Sequence, residues 1–235
     1  MVEAPFVLSP GRVARLLFLV TALLVVAHLV FAINYNHIEF VFPGSTFLYV
    51  LFDVHGEVTI PTWYASLLLF LCALALAGIT AVKLRLHDRY RYHWFGLALL
   101  FLAFSAEESA DVHGAVSHKL QNSWQTDGIM TYPWVLPAAI FTLAVGLLYL
   151  PFLRHLDRRW QRLFLLAGGL FVGGALGLEA IEAVYDSAVG DDFLYLMMVT
   201  LEETLEMVGA IVFLTALLSY LGTITSVIRI DIAEG

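Results

Sequence analysis

Six stretches of this chain are apolar for long enough to cross a lipid bilayer, and nothing else in the sequence restricts the fold as strongly. They run at about 12–33, 60–82, 94–116, 134–153, 163–186 and 193–221. About 20 apolar residues in helical form cover the roughly 30 Å of hydrocarbon. Inside lipid each backbone N–H and C=O must be satisfied within its own segment, which selects helices over open strands. The bulk composition agrees, since 60% of the 235 residues are hydrophobic and 14% are charged, with a mean hydropathy of +0.84. The reading is an all-α integral membrane protein, a six-helix transmembrane bundle forming one domain over residues 1–235.

Charge placement orients the bundle. Arg12 and Arg15 precede the first run, Lys83, Arg85, Arg89 and Arg91 fill the second connection, Arg154, Arg158, Arg159 and Arg162 fill the fourth, and Arg229 follows the sixth. Of the basic residues only Lys119 falls on the other side. The excess of lysine and arginine on cytoplasmic loops then predicts N-in and C-in, with both termini cytoplasmic and connections 34–59, 117–133 and 187–192 outside. We expect an integral protein of a prokaryotic cytoplasmic membrane. The first run is longer than the apolar region of a signal peptide and ends without a small-residue cleavage site, so it is read as a retained helix. The net charge of -8 reflects acids in the spans as well as the loops, and no basic patch is left over for nucleic acid. Cys72 sits in an apolar run and is read as a packing residue.

The longest outer connection, 34–59, holds two short apolar pieces around Pro43 and Gly44. Each is too short to span, which predicts an outer hairpin or re-entrant segment covering the helix ends. The cytoplasmic connections are too short for a soluble catalytic domain. Any chemistry therefore belongs to the membrane or its outer surface.

Inside the ends of the apolar runs lie eight carboxylic acids, Glu107, Glu108, Asp111, Glu179, Glu182, Glu202, Glu203 and Glu206, with Asp186 at the last position of the fifth run, and no lysine or arginine accompanies them. An ionised side chain at mid-bilayer costs about 2.5–3.5 kcal/mol on insertion scales, so such groups face the bundle interior and find a partner. At 100° per residue Glu107, Asp111 and Gly114 share a face, as do Glu179, Glu182 and Asp186, and as do Glu203 and Glu206. Depth along the helices puts the three stripes in one layer in the outer half of the membrane. The inner halves, 94–106, 163–178 and 209–221, carry no charge. That pattern describes a closed site reached from outside.

Divalent metal ions neutralise several carboxylates at once, and helical bundles present acids at i, i+3 spacing around two metals. The predicted ligands are Glu107, Glu108, Asp111, His113, Glu179, Glu182, Glu202, Glu203 and Glu206, and iron, manganese, calcium or zinc would suit them. His113 lies about 140° from Glu108 on a regular helix and joins the stripe only if the helix bends or ends near Gly114. Further candidate ligands or cover residues are His28, His118, Asp186, and Asp53, His55 and Glu57, which alternate as on one face of a strand. For His28 a hydrogen-bonded bundle histidine is the competing reading, and for the 53–57 trio solvated loop residues.

Two other patterns matter. Residues 107–114 and 202–209 match as E-E-[ST]-x-[DE]-x-x-G, which, three helices apart, is the arrangement of an inverted 3+3 repeat. Gly169, Gly173 and Gly177 form a small-residue stripe suited to helix packing inside the bundle or to a homo-oligomer contact. Three functions follow: a membrane metalloprotein, with or without turnover of a lipid-like substrate; a cation or proton-coupled transporter using the same acids; and a structural or assembly subunit whose carboxyls hydrogen-bond helices together. No nucleophile, phosphate-loop or nucleotide motif names a reaction.

Overall fold

All regular secondary structure among the described residues is helical. The structure, a computed structural model, describes residues 9–38, 42–121 and 128–225. In chain order the helices are α1 (Pro10–Ile33), α2 (Ser45–Phe52), α3 (Ile60–Arg85), α4 (Arg91–Ala110), α5 (Val112–Gln121), α6 (Val135–His155), α7 (Arg158–Val172), α8 (Glu179–Ala188) and α9 (Phe193–Ile224). A π-helical turn, Asn34–Ile38, extends α1; another, Gly173–Leu178, joins α7 to α8; and a 3-10 turn, Gly128–Thr131, precedes α6.

Five of these are long and apolar enough to cross a membrane: Pro10–Ile33, Ile60–Arg85, Val135–His155, the continuous Arg158–Ala188, and Phe193–Ile224. α4 has 20 residues but is not among them, because Tyr92 and His93 at one end and Glu107 and Glu108 at the other dilute its apolar centre. It packs along α3. Ser66 Oγ donates to the Ser105 carbonyl at 2.7 Å, Ser105 Oγ returns a bond to the Ser66 carbonyl at 3.0 Å, and Ser109 Oγ donates to Ser66 Oγ at 2.7 Å.

The helix starts follow from local chemistry. Thr59 caps α3 by accepting from the Thr62 N–H, with Pro61 in the first turn, where a missing N–H costs nothing. Asp192 caps α9 by accepting from Leu194 and Tyr195 N–H at 2.9 and 3.0 Å. The centre of the bundle is α3 and α9, with 56% and 50% of their apolar windows buried, against 11% for α6 and for α7 with α8. One core cluster gathers Leu76, Ile79, Trp94, Phe152 and Leu217 toward the end carrying the basic connections, and another gathers Leu24, Leu68, Met207 and Ile211 nearer the acids.

Several expectations need correction. The third apolar run does not continue as one helix to 116. It stops at Ala110, where Asp111 adopts a left-handed φ of 46°, and α5 restarts in a new direction. Asp111 Oδ1 accepts from the Gly114 N–H at 2.9 Å, capping α5, and a Cβ on residue 114 would collide with that carboxylate. Short polar side chains tolerate this conformation because they bond the local backbone. The 34–59 connection contains a turn at Pro43–Gly44, Gly44 having a φ of 93°, and then α2, which lies on α1. Residues 39–41 fall outside the described ones. Gly169, Gly173 and Gly177 seat no neighbouring helix among the described residues: apart from chain neighbours and their own helix backbone, no described atom lies within 4 Å of a Cβ built on any of them. The close approach of α7 and α9 is made at Gly209, whose Cβ position is 2.8 Å from Phe171 N and 2.9 Å from the Ala167 carbonyl. Gly174 does the same, 2.9 Å from the Glu202 carbonyl oxygen.

Candidate metal centre

Between α3, α4, α6, α7, α8 and α9 lies a cavity of about 650 Å³. Its wall holds Glu107 and Glu108 from α4, Glu179 and Glu182 from α8, and Glu202, Glu203 and Glu206 from α9. Glu57 and His55 reach it from the 53–59 loop, and His113 from α5. No lysine or arginine lines it among the described residues. Glu203 stands within Coulombic range of Glu108, Glu57, Glu179 and Glu182, and Glu206 of Glu203, Glu108, Glu179 and Glu107.

The break at Asp111 brings nitrogen to this acidic wall. His113 Nδ1 lies 2.6 Å from Glu107 Oε1, and the His113 backbone N–H donates to the same oxygen at 3.1 Å. His113 Nε2 is 3.9 Å from Asp111 Oδ1. One ligand atom from each of Glu57, Asp111 and His113 lies within 4.8 Å of the others. Glu57 opens to solvent on one side. The low-dielectric wall on its other side, and then the Asp111 charge, push its carboxyl above the ordinary 4.5.

Deeper in, Glu182 is only 1% exposed. It lies within hydrogen-bonding reach of Glu202, while its Oε1 has no partner among the described residues. Ser117 Oγ, on the same wall, is likewise buried and unpartnered. A buried, unpaired carboxylate oxygen is costly. A bound cation would satisfy it.

The other predicted residues divide between the wall and elsewhere. His28 is 1% exposed and lies off the cavity, where Nδ1 accepts from the Val54 N–H at 3.2 Å and sits 3.4 Å from Asp53 Oδ1. Asp53 Oδ1 also accepts from the His55 N–H at 3.2 Å. Asp53 therefore turns toward His28 while His55 and Glu57 turn to the cavity, and the trio does not share a strand face. Asp186 lies off the wall, with the Tyr132 hydroxyl 3.4 Å from its Oδ2. The side chain of His118 lies outside the described residues.

Sequence reasoning passed over two contributors. Trp134 Nε1 donates to Glu179 Oε1 at 2.6 Å, and its ring centroid is 4.9 Å from that of His113. The Tyr132 hydroxyl meets the Tyr195 hydroxyl at 2.7 Å. Their position in the sequence, on either side of Pro133 at the start of an apolar run, marks both aromatics only as interfacial residues. The missed signal was that a buried indole N–H requires an acceptor, and the acids were the acceptors on offer. Neither the curated proteins nor the solved structures include one that matches this chain. Residues 16–221 match the family described as Domain of unknown function (DUF8692), and the chain belongs to that family.

Proposed function

We propose that the chain is a six-helix, N-in/C-in membrane bundle whose carboxylate-walled cavity binds one or two divalent cations in the outer half of the bilayer. α4 serves as the sixth crossing: 20 residues at about 1.5 Å each give roughly 30 Å, the thickness of the hydrocarbon. The observation that carries the reading is the wall itself, with carboxylates from three helices and, among the described residues, no partner for the buried Glu182 Oε1 and no lysine or arginine. Oxygen ligands with two imidazoles on the wall, His55 and His113, suit iron, manganese or calcium, and also zinc at the Glu57, Asp111 and His113 group. The serine network fastens α3 to α4 without the acids, and the joining contacts of Glu179 with Trp134 and of Glu182 with Glu202 leave Glu203 and Glu206 unexplained. A metal held here would polarise a bound oxygen or activate water on a lipid-like substrate.

Elemental analysis of protein purified without chelators tests this. The native chain should carry one or two divalent ions per molecule, and the Glu182→Gln and Glu203→Gln variants less. A native chain free of metal, with variants that merely melt at a lower temperature, would assign the acids a structural role instead. A second reading, cation or proton-coupled transport, is favoured by one observation: both copies of the E-E-[ST]-x-[DE]-x-x-G motif place acids on the same cavity. Gradient-driven flux into liposomes, lost in the same variants, would select it.

A further inference from the structure

The cavity has two chemically different ends, and the metal reading uses only one. From the carboxylates it continues as an apolar slot between α4, α6 and α7, walled by Phe101, Phe141, Val145, Phe164 and Phe171. At the far end Tyr149 and Phe152 line it, and Phe152 packs edge-on against Trp94 with centroids 4.9 Å apart. α6 is fastened near both ends, by Trp134 to Glu179 and by the Tyr149 hydroxyl donating to the His93 carbonyl at 3.2 Å. Between those points most of α6 is exposed, including Ile140, Leu143, Leu147 and Leu148. The slot therefore lies under a helix held at two points, beside the lipid.

Length and charge specify an occupant. Ala138 and Leu153 both line the slot, and the helix between them rises about 22 Å, more than the roughly 15 Å of one leaflet. A width bounded by three helices and a volume of about 650 Å³ fall in the range of one drug-sized ligand and leave no room for the branched body of a two-chain phospholipid. The polar end meets seven glutamates from the helices. Whichever of these carboxyls are ionised repel an anionic head, and no lysine or arginine lines the wall among the described residues to offset them.

We propose that the slot holds one long-chain lipid with a hydroxyl- or amine-bearing, non-anionic head, its head at the carboxylate layer and its tail running toward Tyr149 and Phe152. The chemical identity of the head rests on the cation reading above, and the slot for the tail does not.

Glycines provide the test. Gly146 and Gly168 both line the slot, and a Cβ built on either meets nothing within 4 Å. Each position therefore accepts a Cβ, and leucine would add bulk from opposite walls of the slot. Gly169 is equally open but lies off the cavity. Full-length protein in nanodiscs would be labelled with photoactivatable hexadecanol and, separately, with the hexadecanoic acid analogue, and the labelled residues mapped. Hexadecanol should label Phe101, Val145 and Phe164, fall roughly tenfold in Gly146→Leu and Gly168→Leu, and be unchanged in Gly169→Leu, with metal content native in all three. Labelling spread over Leu143, Leu147 and Leu148 and indifferent to the slot variants would overturn the proposal. Equal labelling by the acid would overturn the assignment of the head. Slot labelling in a native chain free of metal would refute the cation site and leave the tail slot standing.

Discussion

Adding one methyl group at Gly209 tests how α7 and α9 bring the acids together. The Cβ of Gly209→Ala would stand 2.8 Å from Phe171 N and 2.9 Å from the Ala167 carbonyl oxygen. Both are backbone atoms, so no rotamer change can relieve the contact, and the helices must separate by about 0.6–0.7 Å to restore the usual ~3.5 Å. Overpacking of this kind costs about 1–3 kcal/mol. Alanine also gains about 1 kcal/mol of helix propensity over glycine, which obscures the absolute change. The comparison with Gly173→Ala removes that term, because residue 173 is also helical and its Cβ meets nothing within 4 Å. Gly209→Ala should therefore be less stable than Gly173→Ala by about 1–3 kcal/mol. At about 2–4 °C per kcal/mol for a chain of this size, the melting temperatures in detergent should differ by roughly 2–12 °C. If Gly209→Ala melts at or above Gly173→Ala, the α7–α9 crossing is misplaced. The carboxylate layer would be misplaced with it, since Gly174 seats the same crossing against the Glu202 carbonyl and Glu206.

Replacing Asp111 separates its two roles, because asparagine tolerates a left-handed φ and keeps a capping oxygen whereas alanine does neither. Asp111→Ala should lose about 1–2 kcal/mol relative to Asp111→Asn in thermal unfolding, and equal melting would show that the α4–α5 break does not depend on this side chain. Asp88, in the turn between α3 and α4, gives a pH prediction. Burial works against its ionisation, but the Lys83 ammonium at 2.8 Å and the Tyr90 N–H outweigh that and hold its carboxyl below the ordinary 3.8. A depressed folded-state value means that the stabilisation is complete above 3.8 and fades as pH falls through the folded value. Asp88→Asn should thus cost about 0.2–1 kcal/mol at neutral pH and nothing in acid below that value, and a cost that grows on acidification would reverse the sign.

Much of the architecture was legible because lipid leaves a chain few choices. The run at 12–33 became α1 over Pro10–Ile33, and that at 193–221 became α9 over Phe193–Ile224. Most of the glutamates could be grouped by face because a helix repeats every 3.6 residues. Periodicity assumes a regular helix, however, and fails where regularity ends. The left-handed turn at Asp111 carries His113 from the far side of an ideal helix to within 2.6 Å of Glu107. The π turn at Gly173–Leu178 shifts the register between the α7 glycines and the α8 acids. Gly174, one residue from the conspicuous glycine stripe, became the packing residue.

The sequence alone determined that long apolar helices would form and that unaccompanied acids would lie within them. Both follow from local quantities, the cost of an unpaired backbone group and of a charge in hydrocarbon. Tertiary structure decided which carboxylates share a cavity, which oxygen is left unpartnered, which glycines permit close approach, and that an apolar slot continues from the acids. Those depend on distances between segments far apart in the chain, where a fraction of an ångström at Gly209 or one left-handed residue at Asp111 redirects whole helices.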